Sequence, residues 1–246
     1  MNLDRVILID KPAGITSFGV VSRVRRQLTE QLQLKKGKEQ PERKPRFSPG
    51  ATRKTVSLSR IRVGHTGTLD PFATGLLILL SGKMTKKSDE FLKLDKVYEA
   101  TIELGATSTT GDPEGEVTNY ELRRTKNAPS HVMVEKILES FTGEIEQIPP
   151  VYSAIKVDGQ RAYKLARQGK QVEMPTRQVI IHSIELLEFN FPELKIRVHC
   201  SSGTYIRTLA EDIGKALGTG AYTKELRRLK VGNYDVADAD KSFVIC

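Results

Sequence analysis

The sequence from Val63 to Leu77 reads VGHTGTLDPFATGLL, and it places one carboxylate, that of Asp70, inside a loop rich in glycine and threonine. Its glycines and proline disfavour a regular helix or a central strand, because glycine permits unusual backbone angles and proline lacks an N–H donor. The run GLLILL at residues 75–80 is typical of a short buried strand. A loop anchored on such a strand often carries catalytic residues, although an aspartate before a proline also commonly begins an ordinary turn.

The overall composition is that of an ordinary globular protein. The chain has 246 residues, of which 38% are hydrophobic and 28% are charged, so it can bury one sizeable core without disulfides. Its two cysteines, Cys200 and Cys246, are too few for a disulfide framework or a four-ligand zinc site. Because the sequence also lacks a signal-peptide pattern and a long apolar run, we expect a cytoplasmic protein that contacts no membrane.

The net charge of +9 favours a polyanionic partner, and most of it lies in one segment. Residues 35–62 hold ten lysines and arginines against two acidic residues, together with several prolines. Such a segment cannot bury enough apolar surface to offset the entropy lost on ordering. We therefore predict a basic, mobile insertion at residues 33–58, which is either a solvated linker or an arm that contacts RNA.

Hydrophobic periodicity predicts a mixture of strands and helices. The predicted strands lie at residues 6–9, 75–80, 96–104 and 194–200, and the predicted helices lie at residues 17–31, 83–94, 130–141 and 206–217. Residues alternate cleanly at 96–104, so Tyr98 points inward, as either a core residue or a functional one. Cys200 ends a strand that is buried on one face, and we interpret it as a small core residue rather than a nucleophile.

Residues 145–172 combine basic side chains with tyrosines. Lysine and arginine suit phosphates, and tyrosine rings suit stacking on unpaired bases. This mixture favours RNA as the partner. The residues that we single out are Tyr152, Lys156, Arg161, Tyr163 and Arg167.

Several blocks of this sequence, in this order, resemble the motifs of the TruB family of tRNA pseudouridine-55 synthases. The blocks are DKPAGITS at 10–17, the stretch at 63–77, KVY at 96–98, CSSGTYIR at 200–207 and LRRLKVG at 226–232. The resemblance covers essentially the whole chain except the basic insertion.

The resemblance implies roles for four residues around the reacting base. Asp70 would be the catalytic aspartate, Tyr98 would stack on the target base, and His65 would help to push that base out of the RNA stack. Arg207 would pair with Asp70, and an arginine within reach would lower the pKa of the carboxyl group. On spacing alone, Arg207 would instead form a weak surface bridge with Glu211.

Four further positions match the family motifs. Lys11 would support the active-site loop, Tyr205 would help to shape the pocket, Leu226 would lie under the base, and Asp112 would contact RNA. Without the resemblance, Lys11 and Asp112 would be interpreted as ordinary turn residues.

The resemblance also implies the fold, the activity and the partners. The fold would be α+β, a pseudouridine synthase fold with a mixed, mostly antiparallel central sheet, flanking helices and an active-site cleft, and residues 1–246 would form a single catalytic domain without a C-terminal PUA domain. The segment 145–172 would be the thumb that grips the T-arm of tRNA, so that a monomer would act with no metal, cofactor, guide RNA or protein partner.

The implied reaction is the isomerisation of uridine to pseudouridine at position 55 of the T-loop. A tRNA-binding RNA chaperone of the same fold is an alternative. A nucleoside hydrolase is disfavoured, because glycoside hydrolysis usually needs two carboxylates and only one lies in this loop.

Overall fold

The computed structural model describes residues 3–39, 61–119, 128–153, 155–157, 159–170 and 172–245. Its strands are β1 (Val6–Lys11), β2 (Val63–His65), β3 (Thr74–Ser81), β4 (Lys96–Leu104), β5 (Ala106–Ser108), β6 (Val117–Asn119), β7 (Gly143–Gln147), β8 (Lys156–Val157), β9 (Gln160–Arg161), β10 (Arg177–Asn190), β11 (Glu193–Cys200), β12 (Ala221–Val231) and β13 (Tyr234–Asp235). Its α-helices are α1 (Ser17–Glu39), α2 (Ser88–Leu92), α3 (His131–Ser140), α4 (Ala162–Arg167) and α5 (Ile206–Ala216), and short 3-10 helices lie at Gly82–Lys87 and Val236–Asp238.

One large sheet organises the described part of the chain. Its strand order is β1-β3-β12-β4-β11-β10-β7, with β2 beside β3 and β13 beside β12. The pairs are antiparallel except for β12 and β3, which run parallel. This confirms the predicted mixed, mostly antiparallel sheet with helices packed against it.

Strand β3 is buried on both of its faces, which explains its continuous apolar sequence. Leu77 and Leu79 join the main core, which also holds the apolar faces of α1 and α5. Leu76, Ile78 and Leu80 point the other way, into a smaller cluster. Each such side chain contributes roughly 1.5–3 kcal/mol on burial. The loop before β3 is therefore attached to a well-packed strand.

The predicted strands and the helix at 130–141 are confirmed, but two helices differ from their predictions. Helix α1 continues to Glu39, because leucine, lysine and glutamine are good helix formers. Residues 33–39, which we predicted to be a loop, are therefore helical, and the rest of the basic insertion lies outside the described residues. The helix predicted at 83–94 is divided into a 3-10 helix and the short α2.

None of the described helices combines the length and the hydropathy needed to cross a bilayer.

The parallel pairing of β12 with β3 depends on one glycine. Gly75 lies opposite Arg228 and has a φ of +99°. A Cβ atom at Gly75 would lie 2.2 Å from the carbonyl oxygen of Arg228, which is a backbone atom and cannot easily move. Only glycine lets the two strands approach this closely.

We predict that Gly75→Ala lowers the free energy of unfolding by about 3 kcal/mol or more, from the positive φ and the steric overlap together. Gly218→Ala is the matched control, because Gly218 has a φ of +70° with nothing within 4 Å of an added Cβ, so it should cost only about 1 kcal/mol. Urea unfolding measures both values. Equal losses in the two variants would contradict a special role for the contact with Arg228.

Candidate active site

The loop that carries Asp70 joins β2 to β3, and residues of the segment 10–17 hold it in place. The Ser17 hydroxyl donates to the carbonyl oxygen of Leu69 (2.9 Å) and accepts from the Leu69 N–H (2.8 Å). The backbone N–H of Gly14 donates to the carbonyl of Pro71 over 2.8 Å. The backbone on both sides of Asp70 is thus fixed by residues far away in sequence.

Lys11 lies behind this loop and is completely buried. Its ammonium donates to the carbonyl oxygens of Pro12 (2.8 Å), Ile15 (2.8 Å) and Pro71 (3.1 Å). Burial lowers the pKa of Lys11 to about 8, although the nearby carboxylate of Asp70 favours the charged form. Lys11 is therefore more than a turn residue, because it joins its own turn to the loop that carries Asp70.

Arg207, at the start of α5, binds Asp70 directly. Its Nε atom lies 3.1 Å from Oδ2 of Asp70, and its Nη1 atom lies 3.0 Å from Oδ2 of Asp112. The remaining donors contact the carbonyl oxygens of Thr110 (2.9 Å) and Tyr152 (3.0 Å). The Arg207 side chain is only 5% exposed, and the observed ion pairs are these two rather than a surface bridge along the helix.

Burial raises the pKa of Asp70 above its ordinary value, and this effect outweighs the opposing attraction of Arg207. The negative charge of Asp112 also raises this pKa, and the positive charge of Lys11 lowers it. Arg207 does lower the pKa of Asp70, as we expect, but the pKa of Asp70 as a whole is raised. The Asp70 side chain remains 31% exposed, so the carboxylate is enclosed by protein on most sides and open on one.

Asp112 is buried beside Arg207. Its side chain is only 4% exposed. It accepts hydrogen bonds from the Thr110 hydroxyl (2.6 Å) and the Glu114 N–H (3.0 Å) in addition to its ion pair with Arg207. A carboxylate with these partners has little surface left for RNA. In the structure Asp112 positions Arg207, and its expected contact with RNA stays a prediction.

Two phenols, those of Tyr98 and Tyr205, lie near enough to Asp70 for its charge to act on them. Burial raises the pKa of both Tyr98 and Tyr205, and the negative charge of Asp70 acts in the same direction on each. The backbone of Tyr205 exchanges two hydrogen bonds with the side-chain amide of Gln147. Leu226 pairs with Ala100 of the neighbouring strand and lines a cleft of about 400 Å³.

Arg228 is a residue of this site that the sequence reasoning missed. It is 2% exposed, its Nε donates to the carbonyl of Leu76 (2.7 Å), and its Nη2 donates to the carbonyl of Gly67 (3.2 Å). Its positive charge also lowers the pKa of Tyr98, against the larger effect of burial. The sequence did contain a signal for a buried arginine here. Neighbouring residues of a strand point to opposite faces, so one of Arg227 and Arg228 had to point inward.

His65 lies on β2, at the other end of the same loop. Burial lowers the pKa of His65, and the positive charges of Arg228 and Arg161 lower it further. In the described part of the chain no hydrogen-bond partner lies within reach of its buried Nδ1 atom. Arg161 of the segment 145–172 is therefore near enough to His65 for its charge to act on the imidazole.

The segment 145–172 presents several basic residues to solvent. Tyr152, Lys156 and Arg161 are exposed, while the carbonyl of Tyr152 is fixed by Arg207. Tyr163 and Arg167 belong to α4, and their side chains are not among those described. The segment 145–172 is therefore attached, through the carbonyl of Tyr152, to Arg207, which also binds Asp70.

We predict that Arg228→Met lowers the free energy of unfolding by roughly 2–5 kcal/mol, because it leaves two buried carbonyl groups without donors. Arg227→Met is the matched control, since Arg227 forms an ion pair with Asp10 in which both side chains are at least 40% exposed, and such pairs contribute about 0–1 kcal/mol. Chemical denaturation distinguishes the two. An Arg228→Met variant as stable as its neighbour would contradict the structural role of Arg228.

Two family models match consecutive parts of this chain. The TruB family pseudouridylate synthase N-terminal domain matches residues 53–206, and the tRNA pseudouridylate synthase B C-terminal domain matches residues 207–242.

Curated relatives carry the name of the same family, and a solved structure shares the fold. The tRNA pseudouridine synthase B of Phocaeicola vulgatus is 45% identical over 95% of this chain and 88% of its own length, and that of Bacteroides fragilis strain ATCC 25285 is 45% identical over 93% of this chain and 86% of its own. The Cbf5 chain in a crystal structure of a Cbf5–Nop10–Gar1 complex superposes with a TM-score of 0.61 at 27% identity. That alignment covers 94% of this chain and 49% of the Cbf5 chain.

Since both models fit in sequence order and the relatives match along most of their own length, the chain belongs to the TruB family of tRNA pseudouridine synthases.

Proposed function

We propose that this enzyme converts uridine 55 in the T-loop of tRNA to pseudouridine, with Asp70 as the catalytic carboxylate. The observation that carries this proposal is the 3.1 Å contact between Asp70 and the buried Arg207, beside Tyr98 and Tyr205. One carboxylate in this position is partly exposed to an incoming substrate and is otherwise enclosed by protein.

The reaction rearranges bonds within one nucleotide. The N1–C1′ glycosidic bond breaks, the uracil turns, and C5 bonds to C1′; C5 then loses its proton while N1 gains one. Atoms and electrons balance without an oxidant or a second substrate. An ionised Asp70 suits attack on the nucleotide as well as removal of the proton, and Arg207 favours that ionised form.

The target base must leave the RNA stack before it can reach Asp70. Unstacking costs roughly a few kcal/mol, and new contacts with the protein have to offset it. We assign this task to His65, whose buried Nδ1 has no hydrogen-bond partner among the described residues, and to the ring of Tyr98, which would stack on the base. Leu226 would lie beneath the base.

The thumb, residues 145–172, would bind the T-arm. Lys156 and Arg161 are exposed and would contact phosphates, and Tyr152 is exposed for stacking. Tyr163 and Arg167 would extend this surface. Because the thumb is tied to Arg207 through the Tyr152 carbonyl, binding of the T-arm and placement of the base would be mechanically linked. We infer that a monomer acts alone, without guide RNA or a protein partner, because this segment resembles the thumb of the stand-alone members of the family.

The runner-up proposal is a tRNA chaperone of the same fold, which would bind and remodel tRNA without depending on catalysis. The exposed basic surface of the thumb favours RNA binding in either case. The two proposals differ in what they require of Asp70, since only the synthase needs its carboxylate.

We expect the wild-type protein to release tritium from tRNA labelled at uracil C5, and Asp70→Asn to abolish the release while tRNA binding remains. Carbodiimide labelling followed by primer extension locates the product, which should appear at position 55. Asp212→Asn is the matched control, because Asp212 pairs with Lys215 on the exposed side of α5, and it should react like wild type.

Absence of tritium release by the wild-type protein, or a product elsewhere in the tRNA, would refute the assignment to position 55. Free uracil among the products would indicate a nucleoside hydrolase. Full tRNA folding activity in Asp70→Asn, without any turnover in wild type, would favour the chaperone.

We also predict that Asp112→Asn moves the acid limb of the kcat/KM profile to lower pH. The charge of Asp112 raises the pKa of Asp70, so its removal lowers that pKa and the reactive carboxylate form persists in more acidic solution. Steady-state kinetics as a function of pH measure the limb, with Asp212→Asn as the control. A limb that stays in place, or moves to higher pH, would contradict this coupling.

A further inference from the structure

A second cluster of ligand-type side chains lies on the sheet, outside the set of residues around Asp70. It consists of Asp95, His182 and His199, whose nearest ligand atoms all lie within 4.8 Å of one another. We propose that this cluster binds a divalent transition metal of the zinc type.

The fold assembles the cluster from three neighbouring strands. Asp95 immediately precedes β4, and its carbonyl accepts a hydrogen bond from the N–H of Gly232 over 2.8 Å. His199 lies on β11, opposite Val97 of β4. Three residues from separate parts of the sequence therefore meet on the sheet where β4, β11 and β10 lie side by side.

His182 reaches the cluster because β10 contains a bulge. Ile181 pairs with Cys200 and Ser183 pairs with His199, so His182 is the extra residue between them. A bulge disrupts the regular alternation and redirects a side chain. Here it places the His182 ring 4.6 Å from the His199 ring, measured between centroids, with 44° between their planes.

The distances lie close to those that a tetrahedral ion requires. Zinc binds imidazole nitrogen and carboxylate oxygen at about 2.0–2.2 Å, so its ligand atoms lie about 3.3 Å apart. The Nε2 atom of His182 is already 3.2 Å from Oδ2 of Asp95. Small side-chain rotations would bring the ring of His199 within ligand distance of the same ion. The His182 and Asp95 side chains are 35% and 46% exposed, so they have room to rotate as well.

The donor set selects the class of metal. Two imidazoles and one carboxylate, with one open position for water, suit zinc and its neighbours, whereas calcium and magnesium prefer oxygen ligands. An ordinary ion pair would account for His182 and Asp95 alone. It would not account for the second imidazole at the same point.

A bound ion would connect the beginning of β4 to β10 and β11, three residues before Tyr98. The metal would therefore act on stability, by binding the folded chain in preference to the unfolded one. The proposed role is structural and is separate from the isomerisation at Asp70.

The test uses the untagged full chain, stripped with a chelator and titrated with Zn²⁺ in a calorimeter. We expect one ion per chain, and a rise in Tm of about 5 °C when Zn²⁺ is present at a hundredfold excess over its Kd. Replacing Zn²⁺ by Co²⁺ should give the visible absorption of a low-symmetry site with nitrogen ligands.

His182→Gln and His199→Gln should each lose the calorimetric signal, the Tm rise and the Co²⁺ spectrum. His131→Gln is the matched control, because His131 also lies beside a carboxylate, that of Glu135, on the surface of α3, and it should bind like wild type. The Tm of each metal-free variant shows that it is folded. Failure of the wild type to bind, or equal binding in all variants, would overturn the proposal.

Discussion

The structure depends on the guanidinium of Arg207 more than on any other single group. It is nearly fully buried, and a buried charge is tolerated only when it is paired and hydrogen-bonded. Its N–H groups bind two carboxylates and two backbone carbonyls. These groups belong to the Asp70 loop, to the turn around Asp112 and to the thumb at Tyr152. Three segments that are distant in sequence are thus held at one point.

The two carboxylates have unequal surroundings, and this difference separates their roles. Asp112 is closed off from solvent and satisfied by three donors, so it is a fixed counter-charge. Asp70 keeps an open side. Because Asp112 already compensates much of the charge of Arg207, Asp70 can meet a substrate without leaving that arginine unpaired.

Two further buried cations support the loop from behind, and they do so through carbonyl groups. Lys11 binds the carbonyl of Pro71, and Arg228 binds those of Gly67 and Leu76. Carbonyl acceptors fix the backbone without neutralising the cation. The positive charge of Lys11 therefore still acts on Asp70, where it opposes the effect of burial on the pKa.

The sequence by itself determined strands β1, β3, β4 and β11, helices α3 and α5, the first part of α1 and the position of Asp70 in a shaped loop, because periodicity and turn residues are local signals. It also indicated Arg207 and Tyr98 through motif resemblance. Tertiary structure alone decided that Asp112 binds Arg207, that Arg228 turns inward, and that burial raises the pKa of Asp70. It also brought Asp95, His182 and His199 together. The physical reason is that burial and charge pairing depend on strand register and on contacts between distant segments, which no local pattern encodes.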